Sequence, residues 1–226
     1  MCKICDNEYE GLNVLYVYDC DKVVQIPIIQ GVNELFITNC TNVTQIPIIE
    51  GLNTLYITDC PKVVQIPNIQ GLNDLAIINC PKVVQIPNIQ GLFELIIRDC
   101  ANIVQFPNIQ GLYKLTINNC AKLIEIPNIQ ELHELIISDC PKITKIPNIL
   151  ELFHLLINKC TYLKNIWTSN ELEIEEYFKN QKLIIWLRNI IFLKSNRMKT
   201  LWRIAEYYTT KKYSPENALK YISLDD

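Results

Sequence analysis

The sequence predicts a repeat solenoid: one short parallel β-strand per rung, an extended return between strands, and an α-helical unit at the C-terminal end. Three regularities carry this expectation. A cysteine recurs at Cys20, Cys40, Cys60, Cys80, Cys100, Cys120, Cys140 and Cys160. A proline keeps the same twenty-residue period from Pro27 to Pro147, and the apolar residues between them are equally regular. Self-similarity at a fixed period in this range marks a chain whose units stack, each burying its apolar face against the next.

Each rung from Leu12 onward reads Leu-x-x-Leu-x-Ile-x-x-Cys-x-x-Val, as in Leu52, Leu55, Ile57, Cys60 and Val63. From the second leucine the apolar positions alternate at period two, which is strand rather than helix periodicity. Only eight residues, as in Val84-Gln85-Ile86-Pro87-Asn88-Ile89-Gln90-Gly91, separate this consensus from the next. A helix with its two turns does not fit, and the central proline forbids one. The return is therefore expected to be extended or polyproline-like, with Gly31, Gly51, Gly71, Gly91 and Gly111 turning the chain back into the strand.

The glycine gives way to Glu131 and Glu151, and the Ile-Pro pair ends before Trp167. The solenoid is accordingly assigned to 1–164 as about eight rungs, and 165–226 to a helical cap or docking module. Asn170 with Glu173 three residues on reads as a helix start. Leu183, Trp186, Leu187, Ile190 and Ile191 then follow helical spacing, as do Met198, Leu201, Trp202, Ala205 and Tyr208. Pro215 opens a last short helix. The plain reading of this unit is a cover for the exposed end of the sheet. The sharper one is a second contact through Lys194, Arg197, Lys199, Arg203, Lys211 and Lys212.

The strand consensus resembles the leucine-rich repeat, with Leu at the first and fourth positions, Ile at the sixth and Cys at the ninth. The likeness covers residues 12–164. Membership would imply a parallel sheet lining a concave face, here a shallow arc because an extended return stacks near the strand spacing. The Ile-Pro-x-Ile return is similar to the short repeats of some bacterial effectors. Near-identical rungs rich in Ile, Asn, Lys and Tyr look like those of leucine-rich repeat proteins of amoeba-infecting giant viruses.

The 226 residues carry a formal charge of −3, with 11 basic against 16 acidic residues over 1–164 (−5) and 10 against 8 over 165–226 (+2). Neither part is basic enough to suggest nucleic acid. The opening residues lack the pattern of a secretory signal, and Leu183 to Leu193 is too short and too polar to cross a bilayer. A cytoplasmic protein is expected, in the host cytoplasm if viral, with reduced cysteines.

Little in the sequence points to catalysis, and no enzyme is expected. In-register cysteines on parallel strands stand farther apart than a disulfide allows, so the ladder reads as packing. Cys2-Lys3-Ile4-Cys5 has metal-ligand spacing, yet no second Cys-x-x-Cys or His pair at finger spacing accompanies it, so neither metal nor cofactor is expected. His133 and His154 lie at the starts of adjacent strands, six or seven residues from the nearest following cysteine. The Asp/Asn alternation from Asp19 to Asp139 reads as capping of turn backbone.

The outward strand positions remain. Tyr16, Phe36, Tyr56 and Ile96 form an apolar row where solvent is expected, flanked by Glu34, Asp74, Glu94 and Lys114 on one side and Tyr18 and Arg98 on the other. Aromatic anchors within a charged rim are the make-up of a protein-binding face. Strand propensity alone is the plain alternative. The expectation is a non-enzymatic scaffold holding an unidentified protein partner on the sheet. An adaptor in ubiquitin ligation docking through the C-terminal helices is the alternative, as is a structural protein assembling through its first strand. The chain itself is expected to be a monomer or a weak homo-oligomer through that N-terminal edge.

Overall fold

Alternation of buried and outward residues produces five-residue strands, repeated at the period of the sequence. In the computed structural model these are β1 (Val14–Tyr18), β2 (Glu34–Thr38), β3 (Thr54–Thr58), β4 (Asp74–Ile78), β5 (Glu94–Arg98), β6 (Lys114–Asn118) and β7 (Glu134–Ser138), followed by β8 (Lys145–Ile146), β9 (His154–Asn158) and β10 (Asn165–Ile166). The structure describes residues 2–166 except 148, 150, 151, 153 and 164, and only the backbone of Asn165–Ile166. The expected helical unit otherwise lies outside the described residues.

Strands β1 to β7 and β9 form one eight-stranded parallel sheet in sequence order. Every residue pairs with the residue twenty positions on, as Leu55 does with Leu75 and Ile57 with Ile77. The solenoid is therefore in perfect register. At roughly 4.8 Å per strand, each inward side chain lies directly over its own copy.

The inward columns are apolar throughout. Leu55, Ile57, Cys60, Val63, Ile66, Ile69 and Leu72 line one turn of the core, and among the described residues no polar or charged side chain is buried. Among the described residues the return has no helix, as the proline requires. Its rungs touch through isolated bridges at Gln25–Gln45 and Glu125–Lys145 and through the short parallel pair β8–β10. That second sheet carries the return pairing two residues past 164.

Two backbone devices turn each rung. Position eight is held at positive φ in all eight rungs, from 50° at Asp19 to 54° at Asp59 and 51° at Lys159. Asp and Asn tolerate this conformation better than other non-glycine residues. The second turn is closed by Leu52 N–H donating to Ile49 C=O at 3.4 Å, with Gly51 at φ 78°. That arrangement matches a type II turn, which demands positive φ at its third residue. Glu131 keeps the equivalent bond, Leu132 to Ile129, at 3.3 Å without a positive φ. Its carboxylate instead accepts the Gly111 N–H at 2.5 Å.

The alternation at position eight has a reason beyond the turn. Asn39 Nδ2 donates to Asp19 Oδ1, Asn79 to Asp59 and Asn119 to Asp99, each at 2.7 Å. Lys159 pairs with Asp139 at 3.3 Å. These side chains meet one another across rungs, where turn-backbone capping was expected. Eight stacked carboxylates would repel; a neutral amide between them converts repulsion into a hydrogen bond. Asn79→Asp keeps the turn geometry but stacks three acids. We expect it to lower unfolding free energy by about 1 kcal/mol at neutral pH. Repulsion raises the folded-state carboxyl pKa above its unfolded value near 3.9, so the deficit disappears as pH falls below about 4. Urea unfolding at two pH values checks both.

Candidate binding face and N-terminal thiol cluster

Positions three, five and seven of each rung, the alternate residues of its strand, point away from the core, which sets every candidate residue on one face. Tyr16 and Tyr18 lie on β1, Glu34 and Phe36 on β2, Tyr56 on β3 and Asp74 on β4. Glu94, Ile96 and Arg98 lie on β5, and Lys114 on β6. Tyr16 and Tyr18 are more than half exposed, at 55% and 54%.

The aromatic row is continuous. Tyr16 and Phe36 stack with ring centroids 4.8 Å apart, and Phe36 meets Tyr56 edge-on at 5.3 Å. In-register parallel pairing enforces this contact, since equivalent residues on adjacent strands are nearest neighbours on the face. The row then breaks at Ala76, a small side chain that is buried beside Tyr56 and Ile96.

Charge is unevenly distributed. Glu134 is compensated by Lys114 at 3.8 Å and shares a hydrogen bond with the His154 ring at 2.8 Å. Glu34, Asp74 and Glu94 have no cation in ion-pair reach among the described residues. Burial, followed by the fields of Glu94, Asp74 and Glu34, pushes the Tyr56 phenol above its ordinary range. The aromatic row thus ends in a negative potential. The two histidines are separated in role: His154 faces Glu134, whereas His133 stacks on Tyr113 at 4.2 Å.

That last contact belongs to a second aromatic column not anticipated from sequence. Phe93 stacks on Tyr113 at 4.9 Å, and Tyr113 on His133. The signal lies at the second position of the rung, where Asn13, Asn33, Asn53 and Asn73 change to Phe93, Tyr113 and His133. A second feature lies on the return side. An open groove of about 760 Å³ is lined by residues that include Gln25, Ile28, Gln45, Ile48 and Pro67. Ile28 and Ile48 are 76% and 59% exposed at a position that later rungs fill with Asn68, Asn88, Asn108 and Asn128.

The cysteine ladder faces inward, and all ten thiols are free. Cys60 Sγ donates to Thr58 C=O at 3.3 Å and lies 3.9 Å from Ile37 C=O of the preceding rung. Cys40, Cys80 and Cys100 repeat this pattern. Cys20 has no complete rung before it. Its neighbour is Cys5 Sγ at 3.5 Å, and the sulfurs of Cys2, Cys5 and Cys20 all lie within 4.8 Å of one another. Burial pushes the Cys20 thiol up, but hydrogen bonds from Cys2 and from the Lys22 and Val23 amides outweigh it and leave it below its ordinary value. The Cys2-x-x-Cys5 pair, isolated in the sequence, is in space a group of three.

No protein-family model matches the chain. No curated protein matches it either. Among the described residues no helix is long and apolar enough to cross a membrane.

Proposed function

We propose that the chain is a non-enzymatic binding scaffold of the leucine-rich repeat type, which holds a protein partner on the outer face of its parallel sheet. The observation that carries this reading is the stacked row Tyr16, Phe36 and Tyr56, partly open to solvent and bordered by acids that, among the described residues, have no cation in ion-pair reach. A strand buried on one side needs no apolar outer face to be stable. Large aromatic side chains supply contact area at interfaces, and a charged rim selects the partner. Glu34, Asp74 and Glu94 favour a basic segment, whose Lys or Arg side chains can stack on the aromatic faces while meeting the carboxylates. Arg98 and Lys114 bound the acidic stretch and set the direction in which such a segment lies.

Capture from cell extract on immobilised full-length chain tests the reading. A protein retained by the wild type and lost from Tyr16→Ser/Phe36→Ser/Tyr56→Ser, with unchanged circular dichroism, is the expected result. Retention should weaken with added salt, as screening of an acidic rim requires. The control is Ile28→Asn/Ile48→Asn, which installs the residue that later rungs already carry. Loss in that variant and retention in the triple variant would move the site to the return side.

A second reading rests on β1 being the first strand of the sheet order, with an edge available for pairing with another copy. Light scattering over a range of concentrations distinguishes it; a constant monomer mass removes it.

A further inference from the structure

We infer that Cys2, Cys5 and Cys20 form a three-thiolate site for a thiophilic d10 cation, Zn²⁺ or Cu⁺, which fastens the N-terminal turn to the first rung. The turn is already shaped for this. Asp6 N–H donates to Cys2 C=O at 3.1 Å, Asn7 to Ile4 at 3.3 Å and Glu8 to Lys3 at 2.9 Å. Asn7 adopts φ 56°, reversing the chain directly after Cys5. The knot of bonds brings both sulfurs of the Cys-x-x-Cys pair to the same side, where Cys20 supplies the third from the end of β1.

The spacing suits a metal. With Zn–S near 2.3 Å, sulfurs of a tetrahedral site stand about 3.8 Å apart. The observed Cys5–Cys20 separation is 3.5 Å, and the whole set lies within 4.8 Å, so loading needs movements of about 1 Å or less. A disulfide needs about 2.05 Å and joins only two of the three. Thiolates select soft cations over Mg²⁺ or Ca²⁺. Cys20 is buried, Cys2 half-buried and Cys5 exposed, which leaves one side open to solvent. Zn²⁺ would take its fourth ligand there, whereas Cu⁺ is satisfied by three sulfurs. Binding requires the thiols to give up their protons to solvent and so tightens with rising pH.

The site also answers a structural need. The first rung has a strand edge, and its inward side chains Leu15, Val17, Cys20, Val23, Ile26 and Ile29 are all buried although only the short segment 2–10 precedes that rung. A metal joined to Cys20 would bind that short segment to the core column of the ladder.

Full-length chain, reduced and handled without oxygen, is titrated with Co²⁺. The expected result is one equivalent bound, with thiolate-to-cobalt charge-transfer absorption and the visible bands of tetrahedral cobalt, displaced by Zn²⁺. A parallel Cu⁺ titration against a chelator decides between the two cations. Cys2→Ser/Cys5→Ser leaves every rung intact and should weaken binding by at least about 100-fold, because even loss of an outer partner of a metal ligand costs 10- to 100-fold. Cys160→Ser, at the far end of the ladder, should bind normally. Absence of a saturable one-to-one complex with either ion would overturn the assignment. So would unchanged binding in Cys2→Ser/Cys5→Ser, or a Cys5–Cys20 disulfide in a chain that binds neither ion when reduced.

Discussion

Leu95→Ala should lower the unfolding free energy by about 3–5 kcal/mol, the range for a leucine removed from a core that cannot collapse around the void. Leu95 is fully buried on β5 and lies in register between Leu75 and Leu115. The paired strands on both sides fix the backbone spacing, so neighbouring rungs have little freedom to close the gap. Ile96→Ala, one residue on but on the outer face, should cost about 1 kcal/mol or less. Denaturant titration of the two variants measures the difference directly. Similar losses would mean that the alternation of inward and outward residues does not describe the protein in solution.

The second large effect is with alkali. Burial pushes the thiols of Cys40, Cys60 and Cys80 up to about 11 from an ordinary 9.0, and burial moves Cys100 and Cys160 in the same direction. A thiol whose folded pKa stands above its unfolded value holds its proton more tightly in the fold. Its contribution is complete below about pH 9 and is lost as pH rises through the folded value near 11. Because several ladder thiols shift together, stability should be level up to about pH 9 and then fall steeply. Cys40→Ala/Cys60→Ala/Cys80→Ala should show a shallower alkaline decline despite lower stability at neutral pH. Urea midpoints against pH for both proteins provide the check. An identical slope would show that the ladder thiols are not the source of the alkaline loss.

Much of the architecture was legible because the period repeats the same physical argument in every rung. Leu, Ile and Cys at fixed offsets place the inward columns, Pro excludes a helix from the return, and Gly marks the turn at positive φ. The outward placement of Tyr16, Phe36 and Tyr56 follows from the same alternation. Pairwise and long-range detail was less accessible. The Asp19–Asn39 pairing needs the exact register of neighbouring rungs, although its forty-residue alternation was visible. Glu131 replaces a turn glycine through a contact with Gly111 that no local rule supplies. Cys20 looked like one more member of the ladder, and only the fold places it beside Cys2 and Cys5. The groove at Ile28 and Ile48 is a departure from the Asn of later rungs, and its exposure depends on how the returns stack.

The most direct test of the binding face is hydroxyl-radical footprinting of the full-length chain alone and with its captured partner. Protection of Tyr16, Phe36 and Tyr56, with Ile28 and Ile48 labelled equally in both states, is the expected result. Unchanged labelling of the three aromatics in the presence of bound partner would contradict the assignment of the outer sheet face as the binding site.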